Sequence, residues 1–118
     1  MTVLVRNQTR NTLLAETAEL ADTASKRRTG LLRHTGLEPG QGMWIVPCEA
    51  VHSFGMKFTI DVIYLDRKKR VKKTRPQMVP RRISGCLLAH SVLELPAGTI
   101  EATGTRAGDQ LAIEKQDV

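Results

Sequence analysis

The sequence predicts an α+β domain dominated by antiparallel strands, compact and partly barrel-like, with one main helix near residues 22–35. Three observations predict it. Short apolar runs recur along the chain with turn-forming residues between them. The stretch FTIDVIYLD alternates cleanly and leads through a charged turn into a second strand-like run. Only one segment carries helix-start signals, and many short strands beside a single helix mean an antiparallel sheet or a partly closed barrel. With 118 residues there is room for one hydrophobic core, so 1–118 is read as a single domain.

Each element follows from its own residues. TVLVR (2–6) is a strand and NQTRN a turn, and LLAETAEL (13–20) is read as a strand rather than an early helix. Asp22 or Thr23 then offers an N-cap, ASKRRTGLLRH places basic residues in the later turns, and Gly36 ends the helix. Gly30 inside that stretch costs about 1 kcal/mol relative to Ala, so it marks close packing or a break. EPGQG (38–42) is a turn, and GMWIV (42–46) is a strand stopped by Pro47. PCEAVHSFGM fits neither period and is read as a loop. In FTIDVIYLD (58–66), Phe58, Ile60, Val62 and Tyr64 share one face, while Asp61 shares the other with aliphatics. DRKKR turns the chain into VKKTR, which makes a β-hairpin. CLLAHSVLELPAG (86–98) is a further strand, ended by Pro96 and Gly98. GTIEATG is read as a short strand, and QLAIE (110–114) closes the sheet after the turn RAGD.

Composition narrows the function classes. No apolar stretch approaches the ~20 residues that span a bilayer, so no membrane partner is expected. MTVLVRNQTRN lacks a basic region followed by a long apolar one, which points to a cytoplasmic protein without a secretory signal. Cys48 and Cys86 are too few for a disulfide framework and read as free thiols. Between residues 67 and 82 lie nine of the eighteen basic residues and no acid, whereas the remainder holds the other nine and all twelve acids. The net charge of +6 is therefore local to one edge.

Some residues carry potential chemistry. Asp61 and Glu94 interrupt apolar strands; if buried, each needs hydrogen bonds, a charged partner or a raised pKa. The structural expectation is that Asp61 accepts backbone amides or pairs with Arg27, and that Glu94 is held similarly. The functional expectation is that both line a pocket with Cys48, His52 and Met56, walled by the 47–58 loop and the 93–98 corner. Cys48 and His52 invite a nucleophile–base reading, set against Cys48 as a small buried hydrophobe. CEAVH and CLLAH repeat Cys-x-x-x-His, but on a strand residues four apart lie about 13 Å from each other at ~3.3 Å per residue, so no metal site is expected. Arg67, Lys68, Lys69, Arg70, Lys72, Lys73 and Arg75 could grip a polyanion. The stretch has no aromatic residue to stack bases, and edge lysines also prevent strand-to-strand aggregation. Gly108-Asp109 reads as a turn device without chemistry.

From Arg27 to Leu111 the chain resembles an uncharacterised bacterial and archaeal family known as domain-of-unknown-function 192. The pieces that carry the resemblance are Arg27 with GLL (30–32), GM (42–43), PC (47–48), VHSF (51–54), MKF (56–58), IDV (60–62), LD (65–66), Pro80, LELPAG (93–98) and GD (108–109). The resemblance implies a compact β-rich α+β domain and no known activity. Two positions depart from it. The hairpin turn lacks the family's frequent Gly, which implies a turn longer than two residues here. Gly55 stands where relatives often carry a large aromatic, which opens space beside His52 or loosens the loop.

These readings combine into a non-enzymatic ligand- or protein-binding module. It has no assigned catalytic residue and no cofactor, and its partner is an unknown small molecule or protein. The enzyme alternative is a cysteine-dependent hydrolase or transferase using Cys48 and His52. A further alternative is polyanion (nucleic acid) binding through the basic hairpin 67–82.

Overall fold

The structure, a computed structural model, describes residues 1–116. Nine strands and two short helices follow in order: β1 (Thr2–Asn7), β2 (Thr12–Ala21), α1 (Ala24–Thr29), β3 (Gln41–Ile45), β4 (Ala50–His52), β5 (Ile60–Leu65), β6 (Val71–Met78), β7 (Ile83–Gly85), β8 (Ser91–Pro96), α2 (Thr99–Thr103) and β9 (Leu111–Gln116). Seven strands form one sheet in the order β6-β5-β8-β3-β2-β1-β9, and β4 pairs with β7 in a separate two-stranded sheet. Every pairing is antiparallel except β2 with β3, where α1 lies in the crossover between the two strands. The large sheet curls until its edge strands touch. Arg70 faces Gln110 in an isolated bridge, and the Val71 amide donates to the Asp109 carbonyl at 2.8 Å. The Gly108 amide donates to the Val71 carbonyl at 2.8 Å and the Leu111 amide to the Lys69 carbonyl at 3.0 Å, but among the described residues β6 and β9 form no continuous ladder, so the sheet is not closed into a barrel.

Alternation of side chains along the strands divides the core in two. Inside the curl, Val3, Val5, Ile63, Leu65, Leu93 and Leu111 pack together, with Ile100 of α2 as their plug. On the other face, Met43, Ile45, Ile60, Val62, Tyr64 and Val92 pack under Leu31, Met56 and the β4/β7 sheet. β5 and β8 run through the middle and are buried on both faces, which explains why FTIDVIYLD and SVLEL are so apolar.

The strands 2–6, 13–20, 42–46 and 110–114 form where the alternation places them. Four elements differ from expectation, each for a local reason. The helix expected near residues 22–35 covers only Ala24–Thr29: Thr23 caps it through its hydroxyl, and Gly30, at φ 49°, ends it. GTIEATG is not a strand but the one-turn helix α2, bounded by left-handed Gly98 and Gly104. The strand expected over 86–98 starts only at Ser91, and CLLAH is a loop that leaves Leu87 and Leu88 in solvent. The loop PCEAVHSFGM contains β4, which pairs with the unforeseen β7. The hairpin turn is longer than two residues, as the missing Gly implies: Arg67, Lys68 and Lys69 lie between the paired Asp66 and Arg70. Lys69 takes the left-handed φ of 63°, and the Asp66 carboxylate accepts the Lys68 and Arg70 amides, each at 2.9 Å. Among the described residues no helix is long and apolar enough to cross a membrane.

Candidate functional site

β8 sets the floor of the site. Leu93 and Leu95 point into the curl, so alternation turns Glu94 to the opposite face, between Met43 of β3 and Val62 of β5. There it meets a cavity of about 100 Å³. The end of α1 supplies one wall through Arg27, Arg28 and Gly30, and the β4 loop supplies the roof through Cys48, Val51, His52 and Met56. Glu94 is 5% exposed, and no hydrogen bond from a described residue stabilises its charged form. Burial pushes its pKa up to about 7.

The structure thus brings Cys48, His52, Met56 and Glu94 around one cavity. Asp61 stands apart on the other face of the sheet. Its carboxylate is fully buried and accepts the Gln77 amide at 2.9 Å and the Ile100 amide at 2.8 Å. It therefore does what a side-chain cap does for a helix start, from a strand 39 residues away. Arg27 pairs with neither acid; its guanidinium donates to the Asp22 carbonyl at 3.1 Å.

Cys48 and His52 do not form a nucleophile–base pair. The thiol donates to the Ala50 carbonyl at 3.2 Å, and His52 lies outward with its ring 5.8 Å from that of Phe54. Burial pushes the thiol pKa up, helped by the charge on Glu94 and opposed by the Ala50 backbone and the Arg27 charge. A thiol held protonated is a poor nucleophile. The two Cys-x-x-x-His segments build no group of three or more metal-ligating side chains among the described residues.

Ser53 had no role in the sequence reading, yet it locks the roof. Fully buried, it donates its hydroxyl to the Val79 carbonyl at 2.7 Å and accepts the Arg82 amide at 2.9 Å. This ties the end of β4 to the start of β7. Below the roof the Tyr64 and Ser84 hydroxyls are neighbours, buried and without a hydrogen bond, and desolvation pushes the Tyr64 pKa up. Arg27, expected from the sequence as a partner of Asp61 and as part of the family pattern, is instead a cavity wall. Its link to Glu94 and Cys48 is tertiary and leaves no periodic trace.

The basic residues of the hairpin do not form one free face. Lys69 lies over the Trp44 ring at 5.9 Å, and Lys73 lies over Tyr64 at 5.6 Å while donating to the Gly85 carbonyl at 2.8 Å. Lys72 pairs with Asp66 at 3.5 Å. Arg67, Lys68 and Arg70 are exposed at the turn, and Arg75 is half-buried. Asp109, in the Gly108-Asp109 turn, accepts from Asn7 at 2.9 Å and from Arg10 at 3.1 and 3.2 Å. Burial would raise its pKa, but Arg10, Asn7 and the Arg106 amide outweigh this and hold it low.

Comparison with known proteins places this geometry among relatives. The model of family DUF192, described as “Uncharacterized ACR”, matches residues 5–113. A UPF0127 protein of Thermococcus sibiricus is 29% identical over 94% of this chain and 75% of its own length. A UPF0127 protein of Thermococcus gammatolerans is 29% identical over 92% and 74%. Among solved structures, a Novosphingobium aromaticivorans protein of unknown function superposes with a TM-score of 0.81 at 22% identity, over 95% of this chain and 84% of that one. A Sinorhizobium meliloti protein described as a “putative transcription regulator” gives 0.82 at 24% identity, over 94% and 91%. At these identities the solved structures show a shared fold.

Proposed function

We propose a function for this chain, which belongs to the DUF192 family, from the cavity above Glu94. The domain is a non-enzymatic binding module for a small polar ligand. One observation carries the reading: a carboxyl group nine-tenths buried faces a cavity with no hydrogen bond from a described residue to stabilise its charged form. A buried carboxylate left so is costly, and a ligand N–H group would offset that cost. The volume, about 100 Å³, is on the order of three waters at ~30 Å³ each, so the bound group has only a few heavy atoms. Arg27 and Arg28 at the wall favour an acceptor or negative charge at its outer end. A donor inward and an anion outward describe a small zwitterion.

Glycine is the simplest probe, and trimethylglycine is its control, with the same charges and no N–H. Glycine should shift the ¹³C resonance of the Glu94 carboxyl and lower its apparent pKa, because donors favour the ionised form. Trimethylglycine should do neither, and Glu94→Gln should abolish glycine binding followed by titration calorimetry. Equal responses to both compounds, or none to glycine, would refute the reading.

The cysteine-dependent enzyme is the weaker reading, because burial keeps the Cys48 thiol protonated and His52 makes no pair with it. Polyanion binding is weaker too, since Lys69, Lys72 and Lys73 have partners inside the domain. The cytoplasmic setting belongs to the same proposal and rests on cysteines too few for a disulfide framework.

A further inference from the structure

The cavity roof has a second face, and its chemistry is unlike that of the first. Residues directly opposite in an antiparallel pair project to the same side. Ala50 pairs with Gly85 and His52 with Ile83, so the Ala50, His52 and Ile83 side chains point outward, while Val51 and Ser84 turn in. The outward face continues at its ends into Phe54 and Leu87. Ile83 is 74% exposed, Leu87 90%, Leu88 72% and Phe54 48%. Large apolar side chains in solvent are ordinary when scattered, but four on one small roof mark an interaction surface.

Cations neighbour the patch. Arg81 adjoins Phe54, its amide bonded to the Ser53 carbonyl at 3.1 Å, and Arg82 precedes Ile83. Arg67 shares a wall with Glu49 and Ala89 beside the leucines. Arg28 stands across the cavity mouth from His52. With Lys57, next to Met56 of the roof, these make five exposed cations, and Glu49 is the exposed acid of the same 47–58 loop. A second copy of the chain would set like charges against each other in a protein already at +6, so self-association is disfavoured.

We infer that the outer face of the β4/β7 roof docks an acidic protein segment that carries apolar side chains. This surface stands whether or not the cavity beneath it binds a ligand. The apolar residues supply the buried contact, and the arginines select and orient a negatively charged partner.

The test is selection of a displayed random dodecapeptide library on the intact protein. Recovered peptides should be enriched in Asp and Glu interleaved with aliphatic or aromatic residues. Their binding should weaken at least tenfold for Leu87→Ser/Leu88→Ser and for Arg81→Ala/Arg82→Ala. All four positions are exposed, so both double variants should fold, which an unchanged circular dichroism spectrum and melting temperature would verify. Acid-poor recovered peptides, no enrichment, or binding indifferent to both double variants would overturn the proposal. So would sedimentation showing self-association that Leu87→Ser/Leu88→Ser abolishes. Leucine-dependent capture by phosphatidylserine vesicles in place of peptides would reassign the patch to a membrane surface and overturn it equally.

Discussion

The Asp61 carboxylate accepts the Ile100 amide at 2.8 Å, so the middle strand of the sheet holds the start of α2. Its other oxygen accepts the Gln77 amide, at a residue with the left-handed φ of 52°. Asp61→Ala strands two amide donors at once and should destabilise the fold by about 2–5 kcal/mol in urea unfolding. Asp61→Asn keeps one acceptor and should fall between. Amide exchange at Ile100 and Gln77 should accelerate before that of the remaining sheet. An Asp61→Ala protein within experimental error of the wild type would contradict this role.

Glu94 makes stability depend on pH in an unusual direction. Its folded pKa of about 7 lies above the ordinary carboxyl value of 4.5, so the native state holds the proton more tightly than the unfolded one. The contribution of Glu94 is full below pH ~4.5, falls as the pH rises toward 7 and then levels off. At 1.36 kcal/mol per pKa unit the loss is about 3 kcal/mol. Glu94→Gln should flatten that slope and be the more stable protein at pH 8. Parallel unfolding curves for the two proteins at pH 5 and pH 8 would count against the buried carboxyl.

Cys48 should resist alkylation. In a Cys86→Ser background, iodoacetamide should modify Cys48 slowly at pH 7.5 and accelerate only above pH 9, because burial disfavours the thiolate. Rapid modification at neutral pH would restore the nucleophile reading. The readout is the rate constant followed by mass spectrometry.

Gly42 leaves no room for a side chain between β3 and β8. A Cβ there would come within 2.8 Å of the Glu94 carbonyl and 2.9 Å of the Leu95 side chain. Gly42→Ala should therefore cost about 1–3 kcal/mol by overpacking. The displacement should also reach Glu94, changing its carboxyl resonance. Thermal unfolding and the same ¹³C signal test both parts.

Strands that bury one face were readable because their alternation is local, as in TVLVR and QLAIE. So was the burial of Asp61, because an acid between isoleucine and valine has few exposed alternatives. The partner of Asp61 was not readable. α2 is five residues long, too short to show a helical period, and its first turn is satisfied from another strand. Leu87 and Leu88 misled the reading in the opposite sense: beside SVLEL they look like strand core, and only the fold shows that the strand starts after them. For the candidate site, Cys48, His52, Met56 and Glu94 were chosen by residue type and meet at one cavity, whereas Asp61 was chosen by the same logic and lies across the sheet. A single acid in an apolar strand reveals that it is buried but not which layer receives it, because that depends on neighbouring strands.

Ser53 fastens β4 to β7, while between roof and sheet the backbone and side-chain ties are few, among them Cys48 to His90 and Lys73 to Gly85. The roof is held to the floor chiefly by its apolar underside, with Cys48, Val51 and Met56 in the second core. The Ser53 clasp and that core together set the shape of the cavity mouth, so one wall is common to the chamber and to the roof's upper side.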